Sequence, residues 1–421
     1  MQEEILLMEV EEARQEILAH IQPLEPEAVP LLEALGRTLA EDIQATENIP
    51  PFDNSAMDGY AVRAADVGGA GPQHPVTLRV IANLAAGVAP AEAVGPQTAI
   101  RIMTGAPLPP GADAVVPFED TDEGLAGGTA SPGQVQIMRA VRAGDNVRRS
   151  GEDVHQGEVV LERGVALRPQ EIGLLASLGR PSVRVTRRPR VAVLATGDEL
   201  VAIDQPLAPG QIRNSNSYSN AAQVLRYGGI PLLLPVARDT VADVTARIEQ
   251  GIAQGADLFL TSGGVSVGDF DLVKRVLHDL GHVDFWQVRM QPGKPMAFGH
   301  LRGVPLIGMP GNPVSAMVVF EQFARPVLLK MLGRRHLLKP EIEATLLDGA
   351  KSYVDRVRFL RAVVRQDVEG RWTARLTGPQ GSGILSSMVR ANGLAIIPKQ
   401  RGGVPAGTRV WVQMLDWPES S

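Results

Sequence analysis

Not one cysteine occurs among the 421 residues. Disulfides, thiolate nucleophiles and Cys-ligated zinc or iron–sulfur sites are therefore excluded, and the absence says nothing about redox compartment. There is no basic excess either. A net charge of −6 gives no footprint for nucleic acid or an anionic membrane, so an anionic substrate has to be held by a local site. No run of about 18 apolar residues occurs, and the N-terminal "MQEEILLMEVEEARQEILAHI" is acidic and amphipathic instead of basic and then apolar. A cytoplasmic location is the expectation. Internal repeats, low-complexity tails and the G-x-x-x-x-G-K-[ST] phosphate loop are also missing. What remains is 44% apolar and 21% charged residues, the balance of a globular protein whose length calls for three or four cores.

Ile5, Leu6, Met8, Ile17, Leu18 and Ile21 approximate one helical stripe that Pro23 ends, and "VPLLEALGRTLAEDI" reads as a second helix. From residue 49 to about 164, short β-like runs ("VTLRVIA", "QTAIRIM", "DAVVPFE", "VQIMRAV") alternate with Pro and Gly clusters. "RPQEIGLLASLG" then reads as a short helix. Residues 188–335 alternate strand and helix, from "RVAVLAT" to "NPVSAMVVFEQFARPVLLKML", with "VDFWQVR" and "PLIGM" as late strands. Such alternation predicts βαβ units. Beyond Gly333 five β-like runs follow, "EIEATLL" to "RVWVQML". The expected fold is a multidomain α/β protein with a central doubly wound, mostly parallel sheet. A helical and β-rich region (1–187, insertion 49–164) precedes the central domain (188–335), and a β domain (336–421) follows it.

Open α/β sheets bind ligands beyond the carboxyl ends of their strands, where helix N-termini present free N–H groups. Four loops meet that description here: "TGDEL", "RDT", "TSGGVSVGDFD" and "PGNPVSA". The third is longer than the usual connection of about 2–6 residues. Its Gly263, Gly264 and Gly268 permit close backbone approach, and Thr261, Ser262 and Ser266 add donors without bulk, which together make an anion cradle. A glycine turn with Asp269 as helix cap is the plainer alternative. Asp198, Glu199, Asp239, Asp269 and Asp271 converge at the same edge if this topology holds, and convergent carboxylates beside phosphate suit Mg²⁺. Singly, each has a local account: Asp239 stands just outside a Thr240/Asp243 capping box, and Asn312 before Pro313 is a good N-cap. Lys294, between two prolines in "QPGKPMAFG", is a candidate fixed cation. Asp53, Asp58, Glu152 and Asp153 lie in charged turns that surface loops also explain.

Together the stretches "PPFDNSAMDGYAVR", "RIMTGAPLPPGADAVV", "RRSGEDV", "ATGDEL", "TSGGVSVGDFD", "PGKPMAFG" and "GMPGNPVSA" resemble the molybdopterin molybdenumtransferase family, the MoeA and gephyrin E-domain group, with a looser match in "GSGILSS". The resemblance implies a homodimer with a composite site, in which the central domain of one subunit faces the "MDGYA" region of the other. It implies a reaction of adenylated molybdopterin with molybdate, assisted by Mg²⁺, that yields molybdenum cofactor and AMP. Asp58, Thr104, Asp153, Glu199, Asp239 and Asp271 match positions associated with activity, and Lys294, Arg361 and Ser382 match the oxyanion side. In this reading Gly263, Gly264, Ser266 and Gly268 cradle the pterin phosphate, while Asp271 and a neighbouring acid such as Asp239 position the metal. Asn312 completes the substrate side. Many family members have lysine where this chain has Gln291, a departure that bears on molybdate against tungstate. A molybdopterin adenylyltransferase and molybdoenzyme maturation factors are the implied partners. Two other readings compete: the adenylyltransferase itself, whose single domain resembles residues 188–335, and a scaffold built on the same fold. The N-terminal insertion weighs against the first, and the intact site residues weigh against the second.

Overall fold

Val191 packs into one apolar cluster and its neighbours Ala192 and Leu194 into another, and Leu258 and Leu260 are separated from Phe259 in the same way. A strand covered on both faces is apolar at every position, which is why "RVAVLA" and "LFL" run unbroken. The computed structural model describes residues 6–125, 133–263, 276 and 279–417. They fall into two units, one of residues 41–163 with 169–181 and the other of the remainder.

In the larger unit a seven-stranded sheet has the order Leu6–Met8, Gly281–Val288, Pro295–Leu301, Val304–Met309, Leu258–Ser262, Arg190–Ala195, Ile230–Leu233. Helices Val10–Ala19 and Ser215–Arg226 and the helical run 313–331 supply apolar residues to one cluster, and helix Val241–Ala253 supplies them to the other. Four of the six pairings are parallel, and the sheet is mixed because Pro295–Leu301 pairs antiparallel with both neighbours. Leu301 and Val304 face each other across Arg302 and Gly303, both at positive φ (47° and 86°). That is the conformation of a two-residue hairpin turn matched to strand twist. Ala297, Gly299 and His300 dilute the β signal of this strand, which the sequence reading passes over.

Two expected helices are corrected. The first stripe splits into strand Leu6–Met8, paired with Trp286–Val288, and helix Val10–Ala19, where the Glu12 carboxylate accepts the Glu9 N–H at 3.3 Å. "VPLLEALGRTLAEDI" gives the end of strand Pro26–Pro30, paired with Ser182–Thr186, and a single 3₁₀ turn Leu31–Ala34. Gly36, at φ 76°, follows that turn, and Leu32 and Leu35 remain exposed. The helix expected after Ser262 lies largely outside the described residues. Within 313–331 the turn Phe320–Ala324 widens to a π-helix. Pro326 accounts for this, since it lacks the N–H that would bond residue 322 and its ring crowds that carbonyl.

Strand Val357–Gln366 pairs on one side with Trp372–Leu376 and on the other with Gly393–Ile397, closing a five-stranded barrel through Glu341–Leu346 and Arg409–Met414. Met290–Gln291 joins it alongside Val357–Arg358. In the smaller unit a five-stranded sheet runs Ala114–Pro117, Gly59–Val62, Thr98–Ile102, Val76–Leu84, Gln134–Ile137.

Candidate functional site

Backbone bonds tie the starts of all four loops to one another at the carboxyl edge of the larger sheet. Thr196 N–H donates to the Ser262 carbonyl at 3.2 Å, Gly197 N–H to Ala237 at 3.2 Å, and Gly263 N–H to Met309 at 3.2 Å. Gly263 has φ 96°, and a Cβ built on it would stand 2.7 Å from the Thr196 carbonyl oxygen. Only glycine fits. A Cβ on Gly311 would stand 3.8 Å from Gly263 Cα, so "PGN" lies against the start of the cradle. Thr261 and Ser262 are buried at the end of strand Leu258–Ser262. Gly264, Ser266, Gly268 and Asp271 lie outside the described residues.

The acids at this edge arrive from two loops. Glu199 folds back over Gly197, where an added Cβ would be 2.5 Å from its Oε2. Asp239 N–H donates to Asp198 Oδ1 at 3.3 Å, which brings the "RDT" and "TGDEL" loops together. Thr240 caps helix Val241–Ala253 by accepting the Asp243 N–H at 3.3 Å, and the Asp243 carboxylate takes the Arg238 N–H at 2.8 Å. Asp239 is thus exposed beside the cap without forming it. Among the described residues no three His, Asp or Glu side chains are arranged to hold a metal ion. One of the two expected metal ligands, Asp271, is outside them.

Asn312 precedes helix Pro313–Val319, yet its side chain makes no capping bond and is exposed at the edge. The Val314 N–H is taken instead by the Ser382 carbonyl at 3.0 Å, so the "GSG" turn reaches the same helix start. Arg361 shapes that turn from below. Fully buried, it donates to the carbonyls of Pro379, Gln380 and Gly381 at 3.5, 3.2 and 2.8 Å and to Ser387 Oγ at 2.9 Å. Burial, with Arg358 nearby, pushes its guanidinium down to about 10, still charged at neutral pH. Arg361 therefore reaches the edge through its field and its loop, not through direct contact. Lys294 is half-buried, with its carbonyl accepting the Val288 N–H at 2.8 Å. Gly293 packs so closely on Val319 that a Cβ would be 2.5 Å from its Cγ2. Lys294 thus follows the same helix, but about two turns from Asn312.

The smaller unit brings Asp58 and Thr104 together. Asp58 Oδ1 accepts the Thr104 N–H at 2.7 Å and its hydroxyl at 2.9 Å, and these bonds hold the exposed carboxyl below its ordinary range. Behind them Tyr60 OH donates to Glu123 Oε2 at 2.7 Å, and Arg101 donates to Glu123 Oε1 at 2.7 Å. A Cβ on Gly59 would be 2.0 Å from the Val116 carbonyl oxygen, which explains the glycine between Asp58 and Tyr60. Asp153 is exposed in its turn, with its N–H donating to the Ile49 carbonyl at 3.0 Å. Asp53 has a local task, binding Arg149 at 2.7 Å and the Ser150 N–H at 2.8 Å. Sequence reasoning missed Glu123, which follows the β-like run "DAVVPFE", and Asn216, which stands just before the helix read from Ser219. In both cases the partner is distant in sequence.

A glycine-lined sheet edge with acids on two loops and an arginine-supported turn defines an α/β protein built to hold an anionic ligand. Comparison with known proteins gives the particular kind. Residues 8–179 match the MoeA N-terminal region (domain I and II), 192–330 a probable molybdopterin binding domain and 343–415 the MoeA C-terminal region (domain IV). A molybdopterin molybdenumtransferase 2 from Mycobacterium tuberculosis is 41% identical over 409 residues, covering 96% of this chain and 98% of the relative. One from Haemophilus influenzae is 38% identical, covering 97% and 98%. The solved structure of a molybdopterin biosynthesis MoeA protein from Pyrococcus horikoshii superposes with a TM-score of 0.82 at 33% identity, covering 97% of this chain and 100% of that one. The chain belongs to the molybdopterin molybdenumtransferase (MoeA) family.

Proposed function

We infer that this protein inserts molybdate into adenylated molybdopterin and releases AMP, the molybdotransferase step of molybdenum cofactor biosynthesis. The observation that carries the reading is the meeting of Gly263, Gly311, Glu199, Asp239 and the Ser382 turn at one sheet edge. Backbone N–H groups at such an edge stabilise phosphate. In this reading Gly263, with Gly264, Ser266 and Gly268, takes the pterin phosphate, and Asn312 flanks it. Lys294 and Ser382 take molybdate, with Arg361 supplying an uncancelled positive field from beneath the turn. Asp239 and Asp271 would hold Mg²⁺, whose part is to screen charge on the phosphoanhydride that breaks; the described residues alone do not make that site. Glu199 stands beside them.

Asp58, Thr104 and Asp153 belong to the smaller unit, and we assign them to the reaction through a homodimer in which one subunit's "MDGYA" corner serves the other's sheet edge. The domain division that fits this is 1–187, 188–335 and 336–421. Substrate comes from a molybdopterin adenylyltransferase in the cytoplasm, and product passes to molybdoenzyme maturation factors. No helix among the described residues is long and apolar enough to cross a membrane.

The test is an assay of the purified protein with adenylated molybdopterin, Mg²⁺ and molybdate or tungstate. AMP release that requires oxyanion and stops on chelation is expected. Tight pterin binding with no AMP release would make the chain a binding protein, and ATP-dependent adenylation of free molybdopterin would make it the preceding enzyme.

A further inference from the structure

We propose that Asn216 is a positioning residue of this site, acting through the peptide of Gly311; the inference rests on the transferase reading above. Asn214 caps helix Ser215–Arg226, with its Oδ1 accepting the Ser217 N–H at 3.1 Å and its Nδ2 donating to Ser217 Oγ at 2.8 Å. This fixes the first turn and aims Asn216 at the neighbouring loop, where its Nδ2 donates to the Gly311 carbonyl at 2.7 Å. Gly311 in turn lies against Gly263 and precedes Asn312. One amide thus ties the helix after the first loop to the loop that bounds the cradle.

Packing does not account for the residue. Among the described residues Asn216 Oδ1 is buried with no partner, and Asn220, one turn on, is fully buried with neither amide atom bonded. Gln223, the next residue on the same stripe, donates to the Met317 carbonyl at 3.3 Å and to Glu321 Oε1 at 3.0 Å. Leucine at 216 would avoid the cost of a buried unpaired acceptor. A hydrogen-bonding residue chosen for stability would have both ends satisfied. The bond to Gly311 is what leucine could not supply, and it fixes the peptide that lies against Gly263. A shift of about 1 Å in such a loop is enough to slow chemistry by about 10²-fold.

The experiment compares Asn216→Asp, Asn216→Ala and Asn220→Leu with wild type, all as full-length protein. Pterin binding is followed by fluorescence, AMP release in a single turnover at saturating adenylated molybdopterin and molybdate, and folding by thermal midpoint. Asn216→Asp is nearly isosteric and loses the donor, so it stays folded while the carboxylate repels the Gly311 carbonyl. Both Asn216 variants are expected to bind the pterin within about threefold of wild type and to release AMP about 10- to 100-fold more slowly. Asn220→Leu is expected to keep the wild-type rate. Wild-type rates in Asn216→Asp, or an equal loss in Asn220→Leu, would overturn the positioning role. If wild type itself binds the pterin but releases no AMP, the transferase reading falls and takes this inference with it.

Discussion

Arg101 in the smaller unit and Arg361 in the larger are both drawn into the interior, and their donors are satisfied in opposite ways. Arg101 donates to Glu123 at 2.7 Å, stacks 4.4 Å from the centre of the Phe118 ring, and shares its carboxylate with Tyr60. The hydrogen bond to Glu123 raises its pKa. Arg361 is bonded to three carbonyls and a hydroxyl, and burial lowers it to about 10. The first cluster is a closed unit that fixes strands Gly59–Val62 and Thr98–Ile102 behind Asp58 and Thr104. The second leaves its charge standing beneath a turn. A buried charge with its counterion locks structure, whereas one satisfied only by dipoles keeps a field that an anion can use.

The largest break in this comparison is Glu123→Ala. It strands Arg101 and Tyr60 without their acceptor, and loss of one partner of a buried pair typically costs about 3–5 kcal/mol. Urea unfolding should show a fall at the upper end of what single substitutions do. A loss below about 1 kcal/mol would mean that solvent already screens the pair, as it does for exposed ones.

Arg361→Ala comes next. It leaves the 379–381 carbonyls without donors, but Pro379 and Gly381 are exposed, so water takes over part of these bonds and the loss should stay at about 1–3 kcal/mol in all. Arg361→Lys should not restore the wild type, because a single ammonium cannot reproduce the planar fork that serves four acceptors. Molybdate affinity, measured by calorimetry, should weaken in both variants and more in the alanine. Unchanged affinity in a folded Arg361→Ala protein would remove the field from the account of the site.

Thr104→Val is smaller. It deletes the hydroxyl bond to Asp58 and leaves the backbone bond, so stability should change by no more than about 0.5 kcal/mol, as at other exposed positions. Asp58 is held below its ordinary value first by the Thr104 N–H and then by the hydroxyl, so its folding contribution is present above about pH 4 and lost as pH falls through the depressed value. The variant should move that titration upward, which NMR of the Asp58 carboxyl would read directly.

How much of this was legible follows from which interactions are local. The strands of 190–195, 258–262 and the C-terminal barrel could be read because most of their buried positions are apolar and short turns bound them. The four loops at the sheet edge could be read because strand ends and glycine are local signals. Pro295–Leu301 escaped because Ala297, Gly299 and His300 carry little β propensity, and its pairing comes from a turn whose Arg302 at positive φ has no sequence signature. The Leu32/Leu35 stripe misled because periodicity does not reveal that its leucines face solvent. Glu123 and Asn216 stayed hidden because their roles depend on Tyr60 and Arg101, or on Gly311, brought in by the fold. Arg361 was singled out by resemblance, but its bonds to the 379–381 carbonyls required the structure.

Another small effect concerns a cluster whose central ring, His300, has no acid of its own among the described residues. His300 faces His282 across the antiparallel pair and lies 5.7 Å, ring to ring, from both His20 and Phe298. Glu16 bonds His20 at 3.2 Å and Asp284 bonds His282 at 3.4 Å, so the acids serve the outer imidazoles. Burial first, then the neighbouring His20 and His282, lower the His300 pKa. A histidine lowered on folding takes up its proton in the unfolded chain first, so stability is full above about pH 6.5 and falls as pH drops from there through the folded value. Because the ring is partly open to solvent, the loss should stay below about 1 kcal/mol. His300→Gln should flatten the stability profile between pH 5 and 7 in urea titrations, while His282→Gln should shift it only slightly. An equal flattening in both would mean that His20 and His282 set the titration jointly with His300, and the burial of His300 would no longer be its main cause.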